Sequence, residues 1–278
     1  MLTELRAYSS WESAPTLLLS ESGRAETDPI QVRNIDGLDP VKAAVNTSPY
    51  GSVDGVAFTG ANVTTGRNIV LTLHPNPDWE DWTYEGLRRL LYAYFMPKLL
   101  TQLIFHSDDM PPVQISGYVE DVSINPFSKD LELLVSIICP DPYFTAVDAT
   151  VVTGRVSDGI VHVQYDGNIE TGVTVEVSRV SDLAPTTIGV QIGDPAQTHF
   201  AVAAGVTANM YFLLNSLPGQ KYVQNVNIGS GVITNLLSKI QQGSTWPTLK
   251  PGENDFSVVT NGGNQDWQLT YFERFGGL

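Results

Sequence analysis

The sequence has little of the material from which disulfide scaffolds, metal sites and membrane spans are built. Its 278 residues include one cysteine, Cys139, so no disulfide can form within the chain. The four histidines, at positions 74, 106, 162 and 199, show no spacing typical of a metal site. No apolar run approaches the roughly 18 residues of a membrane span, and the N-terminus lacks the pattern of a signal peptide. We therefore expect no metal, no cofactor and no membrane insertion.

Positive charge is also scarce. The chain has 15 basic and 30 acidic residues, a formal net charge of −15 at pH 7. This balance argues against a protein that binds nucleic acid through a basic face, and against a polybasic membrane patch. An acidic surface past which nucleic acid merely travels remains compatible, because like charges repel. Residues 1–144 carry a net charge of −10 and residues 145–278 carry −5.

Motifs for catalysis are missing as well. The sequence contains no Gly-x-Ser-x-Gly elbow, no Walker loop and no Gly-x-Gly-x-x-Gly that opens a helix after a strand. Cys139 ends an apolar run and precedes Pro140, which favours a buried structural thiol over a nucleophile. His106, Asp108 and Asp109 could form a metal or general-base cluster, but a solvated loop is the simpler interpretation. An enzyme is therefore the least favoured class.

Most of the chain shows the patterns of β-strands. Residues 68–73 are β-branched and apolar, and residues 113–124 alternate until the apolar positions change parity beyond Gly117, which predicts a bulge or bend there. One amphipathic helix interrupts the strands near 84–95, with Thr83 as its N-cap and Pro97 just after its end. The fold class predicted from these patterns is mainly β, with an α+β first domain that contains one helix.

The segment Cys139-Pro-Asp-Pro-Tyr-Phe144 predicts a boundary between two domains, because two prolines in four residues stop regular structure. We therefore predict a first domain over 1–144 and a second over 145–278. In the second half, short alternating runs recur between turn signals, which predicts a β-sandwich or barrel. A small helix is predicted over Thr234–Gln241, with Leu236, Leu237 and Ile240 facing inward.

The order of these segments resembles the siphophage distal tail proteins, a family of the phage tail tip. The resemblance runs through Arg67–Leu73, the helix with Pro97-Lys98 after it, Gln114–Glu120 and Cys139–Phe144. In the second half it continues through Ser244–Phe256, with its Trp and Leu-x-Pro-Gly-x-Asn, and through the terminal Leu269–Phe275. The order of these motifs over nearly the whole chain carries the resemblance, since none of them is specific alone.

The resemblance implies a structural virion protein and no enzyme. Members form a hexameric ring that joins the distal end of a long non-contractile tail tube to the tail-tip hub. The first domain forms the ring, and the second, a galectin-like β-sandwich, projects outward as a docking platform. The implied partners are other copies of the chain, the tail tube protein, a hub protein of the tail-associated lysin type, and receptor-binding or tape measure proteins. The genome would pass through the lumen without specific binding.

Two sets of residues are candidates for contacts. Asp54, Arg67 and Arg88 are charges within the first-half segments that match the family, and we predict them at the ring interface. Trp246 and Trp267 are candidate aromatics for a glycan or a docked protein. The alternative function is therefore a carbohydrate-binding adhesion module of the tail tip, which would use these two residues or Trp79 and Trp82. The set of residues with which galectins bind sugar cannot be placed on this sequence.

Overall fold

The computed structural model describes residues 2–9, 17–21, 30–60, 63–76, 83–124, 131–179, 187–193, 199–203, 210–262 and 264–278. The chain divides into two compact units. The first comprises Met1–Val147 together with Phe275–Leu278, and the second comprises Asp148–Arg274. The division along the chain thus falls three residues after position 144, but the last four residues return to the first unit, which the sequence patterns did not indicate. Among the described residues, no helix has the length and hydropathy needed to cross a bilayer.

The described residues of the first unit form mainly antiparallel strands and one α-helix. Its elements are β1 Leu2–Ser9, β2 Leu17–Glu21, β3 Ile30–Asp36, β4 Ala43–Ala44, β5 Thr47–Pro49, β6 Val56–Phe58, β7 Val63–Thr64, β8 Arg67–Pro75, α1 Tyr84–Phe95, β9 Leu100–Ser107, β10 Val113–Ile124, β11 Leu133–Cys139 and β12 Phe144–Ala146.

One large sheet organises these strands in the order β2-β1-β9-β10-β11-β8-β3, and β12 pairs with β10 and with the terminal strand β25, Arg274–Phe275. The outer strands β2 and β3 approach each other, so the sheet curls around its own core. Alternate residues of β8 and β11 are buried on one face, as expected for strands that cover a core on one side. Two short ladders, β4 with β7 and β5 with β6, stand apart from the large sheet.

Helix α1 confirms the sequence prediction and lies against β1 and β8. Thr83 caps its N-terminus, because the Thr83 Oγ1 accepts a hydrogen bond from the Gly86 N–H at 3.1 Å. The buried face consists of Leu87, Leu91, Tyr94 and Phe95. Each such side chain contributes about 1.5–3 kcal/mol when it leaves water, so packing rather than helix propensity fixes this helix.

The predicted irregularity of β10 is present, but it lies beyond Gly117. Gly117 pairs with Thr101 in regular register, and the shift in register falls between Val119 and Asp121. Gly117 has a different role, which is close packing. A Cβ at this position would lie 2.7 Å from both the Cys139 Sγ and the Ile138 carbonyl oxygen. No larger residue fits there without movement of the neighbouring strand.

The core of the first unit encloses Cys139. Its side chain is fully buried within the cluster of apolar residues formed by the large sheet and α1. Burial in these surroundings raises the pKa of the Cys139 thiol to about 11, because the thiolate would lose its hydration. The thiol is therefore a packed core group, as predicted from the sequence.

The described residues of the second unit form short antiparallel strands and two turns of 3₁₀-helix. Its strands are β13 Thr150–Arg155, β14 Val161–Tyr165, β15 Thr171–Gly172, β16 Thr174–Arg179, β17 Ile188–Ile192, β18 His199–Val202, β19 Met210–Asn215, β20 Tyr222–Asn227, β21 Ile233–Asn235, β22 Thr248–Leu249, β23 Gly252–Thr260 and β24 Gln265–Tyr271.

Two sheets of the second unit share one core. The first has the order β13-β24-β16-β19-β20-β21 and the second has the order β14-β23-β17-β18. Inward residues of both sheets form a single apolar cluster, within which the rings of Phe256 and Trp267 meet edge to face at 4.8 Å. The mainly β class predicted from the sequence is thus confirmed. The two larger sheets of this unit form a sandwich, and a short third ladder pairs β15 with β22.

The predicted small helix of the second unit is largely wrong. Thr234 lies within strand β21, and only Leu237–Lys239 form a single 3₁₀ turn. Leu236 is buried and Ile240 half-buried, but Leu237 is exposed. A 3₁₀ turn of three residues cannot place all three apolar side chains on one face, and the backbone of Asn235 is already used by the pairing of β21 with β20.

The burial of Cys139 predicts its reactivity. Near neutral pH, a thiol reagent should label the native chain only as fast as the first unit opens, because both access and the thiolate fraction are low. In denaturant, one equivalent of thiol should react at once, since the chain has one cysteine. Labelling is followed by intact mass. Complete labelling of the native chain at the rate of a free cysteine would contradict the burial described above.

Candidate functional surfaces

Arg67 lies inside the first unit, not on its surface. Its side chain, 3% exposed, starts from the first residue of β8. The guanidinium Nε donates to the Pro142 carbonyl at 2.7 Å, and its terminal nitrogens donate to the carbonyls of Gly37, Asp39 and Gly276, the last at 2.5 Å. The guanidinium also stands 4.5 Å from the centre of the Phe144 ring.

These contacts change the predicted role of Arg67. We expected a contact between subunits, but the guanidinium is buried within its own unit and binds four backbone carbonyls there. Burial lowers the Arg67 pKa from its usual value, because desolvation disfavours the charged form. The carbonyl dipoles and the aromatic face compensate the charge locally. Arg67 therefore organises the first unit internally by joining the loop after β3, the loop around Pro142 and the C-terminal tail.

Among the described residues of the first unit, exposed apolar side chains are concentrated on a hairpin segment, residues 43–60 and 63–64, formed by the two short ladders. A loop connects β5 to β6, and within it the Tyr50 N–H donates to the Gly55 carbonyl at 3.3 Å. Val53 and Phe58 are each 72% exposed. Further exposed apolar side chains in the segment are Val45, Tyr50, Val56 and Val63. Apolar residues concentrated in this way on a segment outside the main sheet are typical of a protein contact surface.

The two other predicted interface charges are placed differently. Asp54 is exposed in the loop of the hairpin segment, next to Val53 and Gly55. Arg88 is half-buried on α1, next to the buried Leu87. The structure does not bring these two residues together into one site, and their predicted roles at an interface stay predictions.

Trp267, a predicted glycan or docking aromatic, is a core residue. It is 3% exposed on β24, and its ring packs against Phe256 and beneath Gly154, where a Cβ would come within 2.5 Å of the indole. The indole therefore has no free face on which a sugar could stack. The alternation of β24 explains the error, because Trp267 shares its face with the buried Leu269 and Tyr271.

The other tryptophans have different surroundings. Trp246 is half-buried, its ring centre is 5.0 Å from that of Phe200, and the Lys221 ammonium lies 5.5 Å from it. Its role as a docking aromatic stays a prediction. Trp79 and Trp82 lie outside the described residues.

An open groove of about 490 Å³ runs over the outer face of the six-stranded sheet, above Trp267. Its walls are polar. The Arg155 Nε donates to the Asp266 carboxylate at 2.8 Å, and Glu176 and Gln268 line the same face. Arg155 and Asp266 are both exposed and paired with each other, so their charges are compensated within the groove.

A second charged group lies on the four-stranded sheet of the second unit. The His162 Nδ1 is 2.8 Å from a carboxylate oxygen of Asp255 and 3.0 Å from one of Glu253. Sequence spacing could not reveal this group, because His162 and Asp255 are 93 residues apart and meet only through the pairing of β14 with β23. Alternating exposed acids on β23 were the available signal, but nothing in the sequence indicated their partner strand.

The sequence cluster around His106 does not form a site of this kind. His106 lies on β9, with its Nε2 3.7 Å from a Glu4 carboxylate oxygen on β1. Asp108 and Asp109 are exposed in the loop that follows. This is the solvated loop that the sequence favoured.

Comparison of the whole fold with solved structures finds a likeness to a phage protein. The crystal structure of SPP1 Dit, described as a paradigm of the hub adsorption apparatus in phages that infect Gram-positive bacteria, superposes with a TM-score of 0.68 at 16% identity. The match covers 98% of this chain and 99% of SPP1 Dit. The resemblance to distal tail proteins is thus confirmed at the level of the fold, over both units.

Other comparisons give weaker likeness or none. Two structures of the phage p2 baseplate in its activated conformation, with Ca and with Sr, match at 10% identity with TM-scores of 0.47 and 0.46. They cover 97% and 96% of this chain, and 98% and 97% of their own chains. No protein-family model matches the sequence. A sequence comparison with curated proteins finds no match either.

The contacts of Arg67 predict a large loss of stability when its side chain is removed. Arg67→Ala leaves several carbonyls without a donor and should lower the free energy of unfolding of the first unit by about 3–5 kcal/mol. Arg67→Lys keeps the charge but not the planar fork, so we expect an intermediate loss. Thermal unfolding of the full chain measures both. Arg89→Ala, on the exposed face of α1, is the matched control and should change stability by less than about 0.5 kcal/mol. Equal stability of the Arg67→Ala and Arg89→Ala variants would contradict the internal role.

The two tryptophans of the second unit should respond differently to truncation. Trp267→Ala empties a core position and should cost about 3–5 kcal/mol of the unfolding free energy. Trp246→Ala removes a half-buried ring and should cost clearly less. Urea unfolding followed by circular dichroism compares the two. A smaller loss for Trp267→Ala than for Trp246→Ala would show that the Trp267 side chain is not part of the core.

Proposed function

We propose that this chain is a structural protein of a bacteriophage tail tip, which forms a hexameric ring at the distal end of a long non-contractile tail. The ring connects the tail tube to the tail-tip hub. The observation that carries the proposal is the likeness of the whole fold to SPP1 Dit, which extends over essentially the full length of both chains. A partial likeness would have supported only a shared β-domain, whereas this one includes both units in the same chain order.

The hairpin segment supports ring formation. A closed ring requires a heterologous interface, in which one surface of a subunit contacts a different surface of the next. The hairpin segment provides one such surface, because its valines, Tyr50 and Phe58 are exposed and lie outside both apolar cores. We assign this segment to the contact with the adjacent subunit. Asp54 in its loop, and Arg88 on α1, are the candidate polar contacts at the rim of that interface.

The charge of the chain suits a channel for the genome. Residues 1–144, which would form the ring, carry the larger share of the net charge of −15. Acidic side chains in a lumen repel the phosphate backbone and prevent the DNA from binding as it passes. No catalytic role is part of the proposal.

The partners follow from the position in the tail. One face of the ring would contact the tail tube protein, and the other would contact the hub protein. The sandwich of the second unit would be a galectin-like docking platform for peripheral receptor-binding proteins. Its core position makes Trp267 unsuitable for stacking on sugar, so we place protein docking ahead of carbohydrate binding.

The oligomeric mass tests the ring. By native mass spectrometry and light scattering, we expect the purified chain to have six times the mass of 30.3 kDa, or twelve times if two rings stack. Val56→Asp places a charge on the hairpin segment and should shift the population to monomers. Val151→Asp is a matched control, because both valines are 52% exposed and Val151 lies in the second unit.

Two outcomes would contradict the assignment. A wild-type chain that stays monomeric at high concentration, and that does not assemble on purified tail tubes, would argue against the ring. A hexamer that tolerates Val56→Asp as well as Val151→Asp would leave the ring intact but exclude the hairpin segment as its interface.

A further inference from the structure

Three ligand-type side chains of the second unit are fixed on one face of two neighbouring strands. His162 on β14 is directly opposite Asp255 on β23, and Glu253 precedes Asp255 by two positions, so it shares the same outward face. One ligand atom from each side chain lies within 4.8 Å of the other two. The backbone pairing sets this arrangement, because the inward neighbours Val163, Asn254 and Phe256 are buried.

The charges in this cluster are not balanced. Two carboxylates approach a single imidazole nitrogen, at 2.8 and 3.0 Å, and Nδ1 carries at most one hydrogen to share between them. Gln164, which lies opposite Glu253 on the same face, donates to Asp166 at 2.9 Å instead. With neutral imidazole the cluster therefore holds two negative charges at close range, an arrangement that a divalent cation would neutralise.

We propose that His162, Glu253 and Asp255 form a binding site for a zinc ion. Zinc prefers imidazole nitrogen and carboxylate oxygen at about 2.0–2.2 Å. Two ligands of a tetrahedral ion are then about 3.3 Å apart, close to the nitrogen–oxygen distances seen here. The three side chains are exposed, so small torsional changes suffice to open the space for the ion.

The chemistry of the donors selects the metal class. Calcium and magnesium take oxygen ligands and higher coordination numbers, which a site with one imidazole and two carboxylates does not supply. Three protein ligands leave the fourth position of zinc open toward solvent. Water, or a carboxylate or imidazole from a docked protein, would complete the coordination. The ion would also tie β14 to β23, and so stabilise this edge of the sandwich. This site is independent of the proposed ring.

Calorimetric titration of the full chain tests the site. After treatment with EDTA and its removal, zinc chloride should bind one ion per chain with a dissociation constant in the micromolar range. His162→Gln and Asp255→Asn should each weaken binding on the order of 10-fold or more. His106→Gln is the control, because His106 also lies near a carboxylate, Glu4 at 3.7 Å, but belongs to the first unit and is none of the proposed ligands. It should bind zinc like the wild type.

Further measurements separate the site from indirect effects. In EDTA, the His162→Gln variant should unfold at the same temperature as the wild type, because the His162 side chain is exposed. Addition of zinc should raise the unfolding temperature of the wild type but not that of the variant. Cobalt(II) should give a visible absorption band that is lost in His162→Gln. Absence of zinc binding by the wild type, unchanged binding in both ligand variants, or preference for calcium over zinc would each overturn the proposal.

Discussion

The first unit depends on the way in which one buried cation is satisfied. The guanidinium of Arg67 replaces its hydration with four backbone carbonyls and the face of Phe144, so no anion has to be buried with it. Because one of these carbonyls belongs to Gly276, the C-terminal residues are held to the first unit by the same group that fixes the loop after β3. Arg67 thus holds together, within the first unit, the parts of the chain that precede and follow Asp148–Arg274.

The chain uses charge differently in its two units. The N–H groups of Arg67 donate to carbonyl oxygens of its own unit and are not available to an external partner, so the residue is structural. His162, Glu253 and Asp255 are exposed and carry more negative charge than the imidazole can compensate, which leaves them open to a ligand. The two groups differ in burial and in how completely their charges are compensated, not in residue type. A charged residue in a family-like segment is therefore a weak indicator of an interface until its neighbours are known.

Sequence patterns correctly predicted the features that depend only on residues close together in the chain. The Thr83 cap, the apolar face of α1 and the run of β10 all follow from residues within one or two turns or pleats. The sequence did not reveal what depends on distant pairing. The return of Phe275–Leu278 to the first unit, the inward face of Trp267 and the meeting of His162 with Asp255 each require a partner that lies far away in the chain. The exposure of the hairpin segment was missed for the same reason, because its valines and Phe58 are indistinguishable in sequence from core residues.

In the proposed ring, electrostatics and apolar contact would act against each other. Six chains that each carry a net charge of −15 repel, so assembly needs a short-range attraction that exceeds this repulsion. At physiological ionic strength, screening within about 8 Å confines the repulsion to neighbouring surfaces, whereas burial of the hairpin segment acts on contact. The same acidic charge that opposes assembly would keep the genome from adhering to the lumen. A concentrated apolar segment on an otherwise acidic unit reconciles the two demands, since attraction is limited to one surface and repulsion is retained on the rest.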